Sequence, residues 1–165
     1  MRIHLLLCLA FLSPLFVLAQ LSVDRAYSDK LKETLSRKVK DVTVKDLSFN
    51  NKTVFIDCRE SNEYEISHIK NAVWVGFKKF DLKRLKEISK SSEIIVYCTI
   101  GYRSEIITHK LKKSGYSNVR SLIGGILEWK NMGNQVFDLK HNTTEFVHTF
   151  DESWAIYLKK GTGVW

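Results

Sequence analysis

The chain has 165 residues, the size of a single domain with one core, and 44% of its residues are hydrophobic. Its formal net charge of +8 would attract anions. The lysines are scattered without an aromatic-rich nucleic-acid motif, so the charge predicts a solvated basic surface and excludes a nucleic-acid partner.

The first nineteen residues have the layout of a secretory signal peptide. Arg2 and His4 precede an apolar run, and the small residues Val17 and Ala19 suit cleavage before Gln20. The apolar run is short for a membrane span, which makes an uncleaved anchor the weaker alternative. We therefore predict a signal peptide over 1–19, an exported (periplasmic or secreted) protein and no stable membrane anchor after cleavage.

Amphipathic helices and short apolar strands follow along the chain. A helix is predicted within 20–40, where apolar residues recur every fourth position from Tyr27. Further helical patterns cover Asp81–Lys90 and Arg103–Ser114, the latter closed by Gly115. Five short apolar runs predict strands: Val42–Val44, Val54–Cys58, Ala72–Val75, Ile94–Cys98 and Val119–Ile123.

Strands and helices alternate, and the strands EIIVYC and TVFIDC are apolar on both faces. Such strands lie inside a parallel sheet that has helices on both faces, so the fold class is predicted to be α/β. The core domain is expected over 41–133. Residues 134–165 form an extension rich in aromatics without a clear period, which we expect to wrap over the sheet; a protein partner for it is the alternative.

Two cysteines remain after the predicted cleavage, Cys58 and Cys98. Two are too few for a disulfide framework or a four-cysteine zinc site, and we predict neither a metal nor a cofactor. Each cysteine ends an apolar strand, the place where sites form on parallel sheets.

Cys98 is the candidate nucleophile. It ends a buried strand and is followed by a short loop and a helix that opens at Arg103. Loop amides and the helix N-terminus would converge on the sulfur and favour a thiolate. Gly101 permits the turn, and Arg103 adds a positive charge and donors for an anion. The predicted anion-binding loop comprises Thr99, Ile100, Gly101, Tyr102, Arg103 and Ser104.

At this point the sequence resembles the rhodanese domain family, in four blocks that occur in order over about Val42–Met132. The blocks are VFIDCRE, NEYEISHIKNAV, CTIGYRS and SNVRSLIGGILEWK. The resemblance implies a five-stranded parallel sheet and a persulfide on Cys98. We assign structural roles to the other matching residues: Asp57, Arg59, His68, Gly124, Gly125 and Trp129.

Two functions follow as hypotheses. The first is a rhodanese-type sulfurtransferase that moves sulfane sulfur from a small anionic donor such as thiosulfate to a thiol or cyanide. The second is a binding or thiol-redox module, with Cys58 as the redox partner of Cys98, favoured by export to an oxidising compartment. Cell-cycle phosphatases, which share the fold, also resemble this sequence at the Asp-Cys-Arg block around Cys58. Their catalytic loop is one residue longer than the loop from Cys98 to Arg103, and this difference argues against phosphatase activity.

Overall fold

The computed structural model describes residues 25–36, 38–47 and 52–165, and the predicted signal peptide lies outside them. Five short strands form a parallel sheet: β1 (Asp41–Val42), β2 (Val54–Asp57), β3 (Val73–Trp74), β4 (Ile94–Tyr97) and β5 (Val119–Leu122). Their order is β1-β5-β4-β2-β3, so β4 is central. The predicted α/β fold with a five-stranded parallel sheet is confirmed.

Helices cover both faces of this sheet. They are α1 (residues 25–34), α2 (Ser61–Ile66), α3 (Tyr102–Lys113), α4 (Gly125–Asn131) and α5 (Glu152–Ala155). None of the helices in the described part of the chain is long and apolar enough to cross a membrane.

The alternation of side chains along β4 divides the core into two clusters. Ile95 and Tyr97 point to the face covered by α1 and α4 and belong to the cluster on that face, the α1-side cluster. Ile94, Val96 and Cys98 point to the face covered by α3 and belong to the second cluster, the α3-side cluster. Because all five are almost fully buried, β4 is hydrophobic on both faces, as a central parallel strand must be.

The N-terminal helix is shorter than the predicted range 20–40, since the described residues are helical only over 25–34. A tertiary contact explains its end. The backbone N–H and the hydroxyl of Ser36 both donate to the Glu105 carboxylate on α3, each over 2.9 Å. The Ser36 N–H is therefore used outside the helix, and the chain turns toward β1.

The predicted helix Asp81–Lys90 is also largely absent, and a short 3₁₀ helix over Leu82–Leu85 replaces it. Leu82, Leu85 and Ile88 all pack against the α3-side cluster. Their spacing of three residues matches the three residues per turn of a 3₁₀ helix better than the 3.6 of an α-helix.

The C-terminal segment, residues 134–165, folds back onto the domain. It forms two small sheets: β6 (Val136–Phe137) pairs with β7 (Thr143–Thr144), and β8 (Phe146–His148) pairs with β9 (Thr162–Val164). Val147 belongs to the α1-side cluster and is fully buried. The Tyr157 ring stacks on Tyr27 of α1 with centroids 5.0 Å apart.

Candidate active site

Cys98 follows directly after β4, and α3 begins four residues later, so the intervening loop must turn tightly around the sulfur. Gly101 has φ of 123°, a value that side chains rarely tolerate, and a Cβ there would lie 3.2 Å from Leu35. The backbone N–H of Gly101 donates to the Cys98 Sγ over 3.2 Å. The predicted turn therefore places at least this amide on the sulfur.

The N-terminal end of α4 sets the orientation of the loop amides. Gly124 N–H donates to the Ile100 carbonyl over 2.9 Å, and Ile126 N–H donates to the Cys98 carbonyl over 2.9 Å. In a trans peptide the C=O and N–H point in opposite directions. Because the Ile100 carbonyl faces α4, the Gly101 N–H of the same peptide faces the sulfur.

Gly125 allows this close approach. It has φ of 51°, and a Cβ on it would collide with the carbonyl oxygens of both Cys98 and Thr99. Trp129 of the same helix donates from Nε1 to the Gln135 carbonyl over 2.9 Å and packs against Phe55. The structure thus places Gly124 and Gly125 where α4 contacts the loop, and Trp129 where it anchors α4 to β2 and to the segment after the helix.

Arg103 is bound by Glu63, a residue of α2, and the sequence did not predict this partner. Its Nη1 and Nη2 donate to the two Glu63 carboxylate oxygens over 2.6 and 2.7 Å. Nη2 also donates to the Thr99 hydroxyl over 2.8 Å. Three of the five guanidinium N–H groups are thus directed at Glu63 and Thr99, and the positive charge of Arg103 lowers the pKa of the Cys98 thiol. The role of Arg103 as an anion donor stays a prediction.

The pKa of the Cys98 thiol is held well below its usual range. Burial alone would raise it. A hydrogen bond with Cys58, the positive charge of Arg103 and backbone hydrogen bonds from Gly101 and Ser104 outweigh burial and lower the pKa. These groups favour the thiolate, the nucleophilic form of cysteine.

Cys58 lies at the end of β2, the neighbour of β4, and both cysteines are buried free thiols. Burial, followed by its hydrogen bond with Cys98, raises the pKa of Cys58 well above its usual value. Cys58 Sγ also donates to the Tyr97 carbonyl over 3.2 Å. A thiol has one hydrogen, so Cys58 can alternate between the Tyr97 carbonyl and the Cys98 thiolate as acceptors.

Asp57 and Arg59 form a fully buried ion pair, with Arg59 Nη2 donating to Asp57 Oδ2 over 2.7 Å. Arg59 Nη2 also donates to the Ser67 carbonyl over 2.5 Å. The pair therefore ties the end of β2 to the turn after α2, and neither residue lines the cavity at Cys98.

His68 lies in that turn. Its backbone N–H donates to the Phe137 carbonyl, and its ring stacks on Tyr64 with centroids 4.0 Å apart. Its Nδ1 lies 3.0 Å from the Tyr64 carbonyl. These contacts place His68 in a structural position.

Comparisons with known proteins agree with this geometry. The family model for the rhodanese-like domain matches residues 41–132. The chain belongs to the rhodanese-like domain family. Among its relatives is Adenylyltransferase and sulfurtransferase UBA4 of Saccharomyces cerevisiae, 40% identical over 95 residues, which cover 52% of this chain and 22% of that protein.

A second relative is the tRNA uridine(34) hydroxylase of Wigglesworthia glossinidia brevipalpis, 40% identical over 86 residues, or 49% of this chain and 27% of that protein. The matches thus span about a quarter of the length of these two relatives.

Solved structures share the fold. The BH2092 protein of Bacillus halodurans has a TM-score of 0.55 and 24% identity, covering 70% of this chain and 85% of its own. A thiosulfate sulfurtransferase of Pseudomonas aeruginosa also has a TM-score of 0.55, with 21% identity over 70% of this chain and 23% of its own.

A cavity of about 450 Å³ opens above Cys98 in this rhodanese-like domain. The remaining residues of the predicted loop surround it or support it. Thr99, Ile100, Tyr102 and Arg103 line the cavity, and Tyr102 is half-exposed. The buried Ser104 hydroxyl donates to the Gly101 carbonyl over 2.7 Å and so stabilises the turn.

Sequence reasoning missed two parts of this site. Glu63 was matched only as part of a family block, and no spacing in the chain links it to Arg103. Phe150 and Trp154, which line the cavity, come from the C-terminal segment. Its aromatic content was the available signal, but no periodicity indicated which rings face Cys98.

Proposed function

We propose that this rhodanese-like domain is a sulfurtransferase that carries sulfane sulfur as a persulfide on Cys98. The observation that carries the proposal is the placement of the Cys98 sulfur at the base of a cavity, with the Gly101 N–H directed at it. The anionic outer sulfur of a persulfide on Cys98 would lie close to the same hydrogen-bond donor and be stabilised by it.

The proposed first step loads the sulfur from a small anionic donor such as thiosulfate. The Cys98 thiolate attacks the outer sulfur of thiosulfate, a new S–S bond forms, and the bond to the sulfonate sulfur breaks to release sulfite. The charges of Arg103 and Lys78, both in the cavity wall, would attract the dianion.

In the second step an acceptor takes the outer sulfur. An acceptor thiolate or cyanide attacks it, the S–S bond to Cys98 breaks, and Cys98 leaves as a thiolate. No net oxidation occurs in either step. The low pKa of Cys98 supports this step because a stable thiolate is a good leaving group.

Mass spectrometry tests the proposal. Thiosulfate treatment of the reduced protein should add the mass of one sulfur atom, and later cyanide should remove it with formation of thiocyanate. Cys98→Ser should stay unmodified, while Cys58→Ser should load. A wild-type protein that gains no sulfur would contradict the proposal.

A second candidate, thiol-redox work, rests on the contact between Cys58 and Cys98. The raised pKa of Cys58 weighs against it, because once the Cys98 thiolate has reacted with an oxidant, Cys58 must attack as a thiolate to close the disulfide. Thiol counting on protein isolated without reductant separates the candidates: two free thiols remove the basis for redox work, and a Cys58–Cys98 disulfide favours it.

Export of the protein is a further part of the proposal, supported by the charged and apolar pattern of residues 1–19. Mass analysis of the protein recovered from its native host should find an N-terminus at Gln20. Recovery of the intact Met1 N-terminus would contradict export by a cleaved signal.

A further inference from the structure

The cavity above Cys98 is walled mainly by apolar and aromatic side chains. Phe77, Ile100, Tyr102, Phe150 and Trp154 line it. Cys98 itself is only 1% exposed, whereas Tyr102 and Phe150 are 53% and 55% exposed. A molecule that reaches the sulfur must therefore pass between large rings that still have apolar surface to bury.

Two of these rings come from outside the family match. The rhodanese-like domain model ends at residue 132, whereas Phe150 and Trp154 follow β8 in the C-terminal segment. This segment therefore adds a wall to the active-site cavity of this particular chain.

Phe150 is held in place from several sides. Its φ of 75° lies in the left-handed region, which is rare for a bulky aromatic residue. The Phe150 N–H donates to His148 Nδ1 over 3.1 Å, and the Arg103 guanidinium lies 5.3 Å from the centre of the Phe150 ring. An unfavourable backbone conformation kept by such contacts points to a use for the ring position.

The charged side chains at the wall are few and partly balanced. Glu60 and Lys78 both line the cavity, and the Glu60 carboxylate accepts from the Lys78 backbone N–H. The charge of Arg103 is partly balanced by its ion pair with Glu63. The other lining residues are mainly apolar or aromatic, so the body of a molecule that fills the cavity meets a mainly apolar surface.

We propose that Phe150 selects the sulfur acceptor: a low-molecular-weight thiol with an uncharged, apolar body that stacks on the ring while its sulfur reaches Cys98. The inference rests on the proposed sulfur transfer and names its acceptor class. The acceptor thiolate attacks the outer sulfur of the Cys98 persulfide and takes it as a persulfide anion (RSS⁻), the S–S bond to Cys98 breaks, and Cys98 returns to the thiolate. The volume is in the range of small-molecule sites.

The test compares two alkyl thiols of similar acidity, 2-phenylethanethiol and 2-mercaptoethanol, as acceptors for the persulfide-loaded full-length protein. The wild type should prefer 2-phenylethanethiol by about tenfold in kcat/KM, the equivalent of about 1.4 kcal/mol. Phe150→Gly, which suits the backbone conformation, should lose most of this preference through a higher KM for 2-phenylethanethiol. Phe150→Leu should keep part of it.

Phe146→Ala is the matched control. Phe146 lies on β8 in the same segment, is similarly exposed at 52% and does not line the cavity. The control should keep the wild-type preference. Equal use of both thiols by the wild type, or a preference unchanged in Phe150→Gly, would overturn the inference.

A binding measurement separates this inference from the proposed function. 2-Phenylethanol, which has no thiol, should bind the unloaded wild type and Cys98→Ser, and more weakly Phe150→Gly, as measured by isothermal titration calorimetry. If 2-phenylethanol binding depends on Phe150 but the wild type never loads sulfur, sulfur transfer is refuted and the pocket is retained. Sulfur loading without Phe150-dependent binding would refute the pocket alone.

Discussion

A single buried carboxylate decides where the charge of Arg103 lies. Glu63 is 2% exposed and binds the guanidinium through both oxygens. Bidentate pairing of this kind fixes the geometry of an arginine side chain. Burial would raise the pKa of Glu63, but Arg103 outweighs it and the pKa is lowered. At the residue scale, Glu63 is thus the positioning residue for the charge beside Cys98.

Replacing Glu63 by Gln should lower the free energy of unfolding at neutral pH by about 3 kcal/mol, since it leaves a largely buried guanidinium without its counter-charge. Because the pKa of Glu63 is lowered in the folded state, its ionised carboxylate stabilises the fold at pH values above the ordinary pKa of 4.5. This contribution is lost as the pH falls through the folded-state pKa. The difference from wild type should therefore shrink below pH 4.5.

Urea denaturation at neutral and acidic pH measures this, with Glu65→Gln as the control on the exposed side of α2. A difference between Glu63→Gln and wild type that is the same at both pH values would contradict the assigned ion pair.

Among the elements, the contact between α4 and the loop after Cys98 holds the candidate site together. The carbonyls of Cys98 and Ile100 accept from the first turn of α4 and from Gly124 before it. This contact orients the Gly101 amide, which donates to the sulfur. The position of one helix end therefore determines the electrostatics of a cysteine on a neighbouring strand.

Substituting Gly125 by Ala should separate these elements, because the added methyl group collides with two loop carbonyls. We expect a loss of more than about 3 kcal/mol in unfolding free energy and slower persulfide loading. Gly115→Ala is the control: Gly115 also has a positive φ, of 90°, but has open space around it, and should cost about 1 kcal/mol. Equal effects of the two substitutions would refute the close contact.

The elements also show what the sequence could predict. The five strands and α3 were predicted within one or two residues, because apolar runs and a glycine mark their bounds. The end of α1 was not, since it depends on Ser36 binding Glu105, 69 positions away. The candidate nucleophile Cys98 and its loop were likewise predictable from a local pattern. The partner of Arg103 and the aromatic wall were not, because local patterns carry no information on distant pairs.

At the scale of the whole molecule, the C-terminal segment is part of the core as well as of the cavity. Val147 is fully buried in the α1-side cluster, and Asn131 of α4 donates to the Tyr157 carbonyl over 2.9 Å. The segment therefore stabilises the domain and fixes the residues near Phe150.

Truncating Val147 to Ala should reduce the free energy of unfolding by about 2 kcal/mol, because two buried methyl groups are lost. Ile156→Ala in the same segment is the control, since Ile156 is 67% exposed and should change stability by less than about 0.5 kcal/mol. Chemical denaturation of the full-length variants measures both. A Val147→Ala protein as stable as the control would mean that the segment does not join the core.

Stabilisation of a sulfur anion at position 98 by the loop underlies the proposed chemistry. A pH titration of the ultraviolet thiolate absorbance of the reduced protein tests it, with Cys98→Ser as the reference that isolates this group. We expect a Cys98 titration midpoint well below the ordinary cysteine value of 9.0. A midpoint at or above that value would contradict this stabilisation.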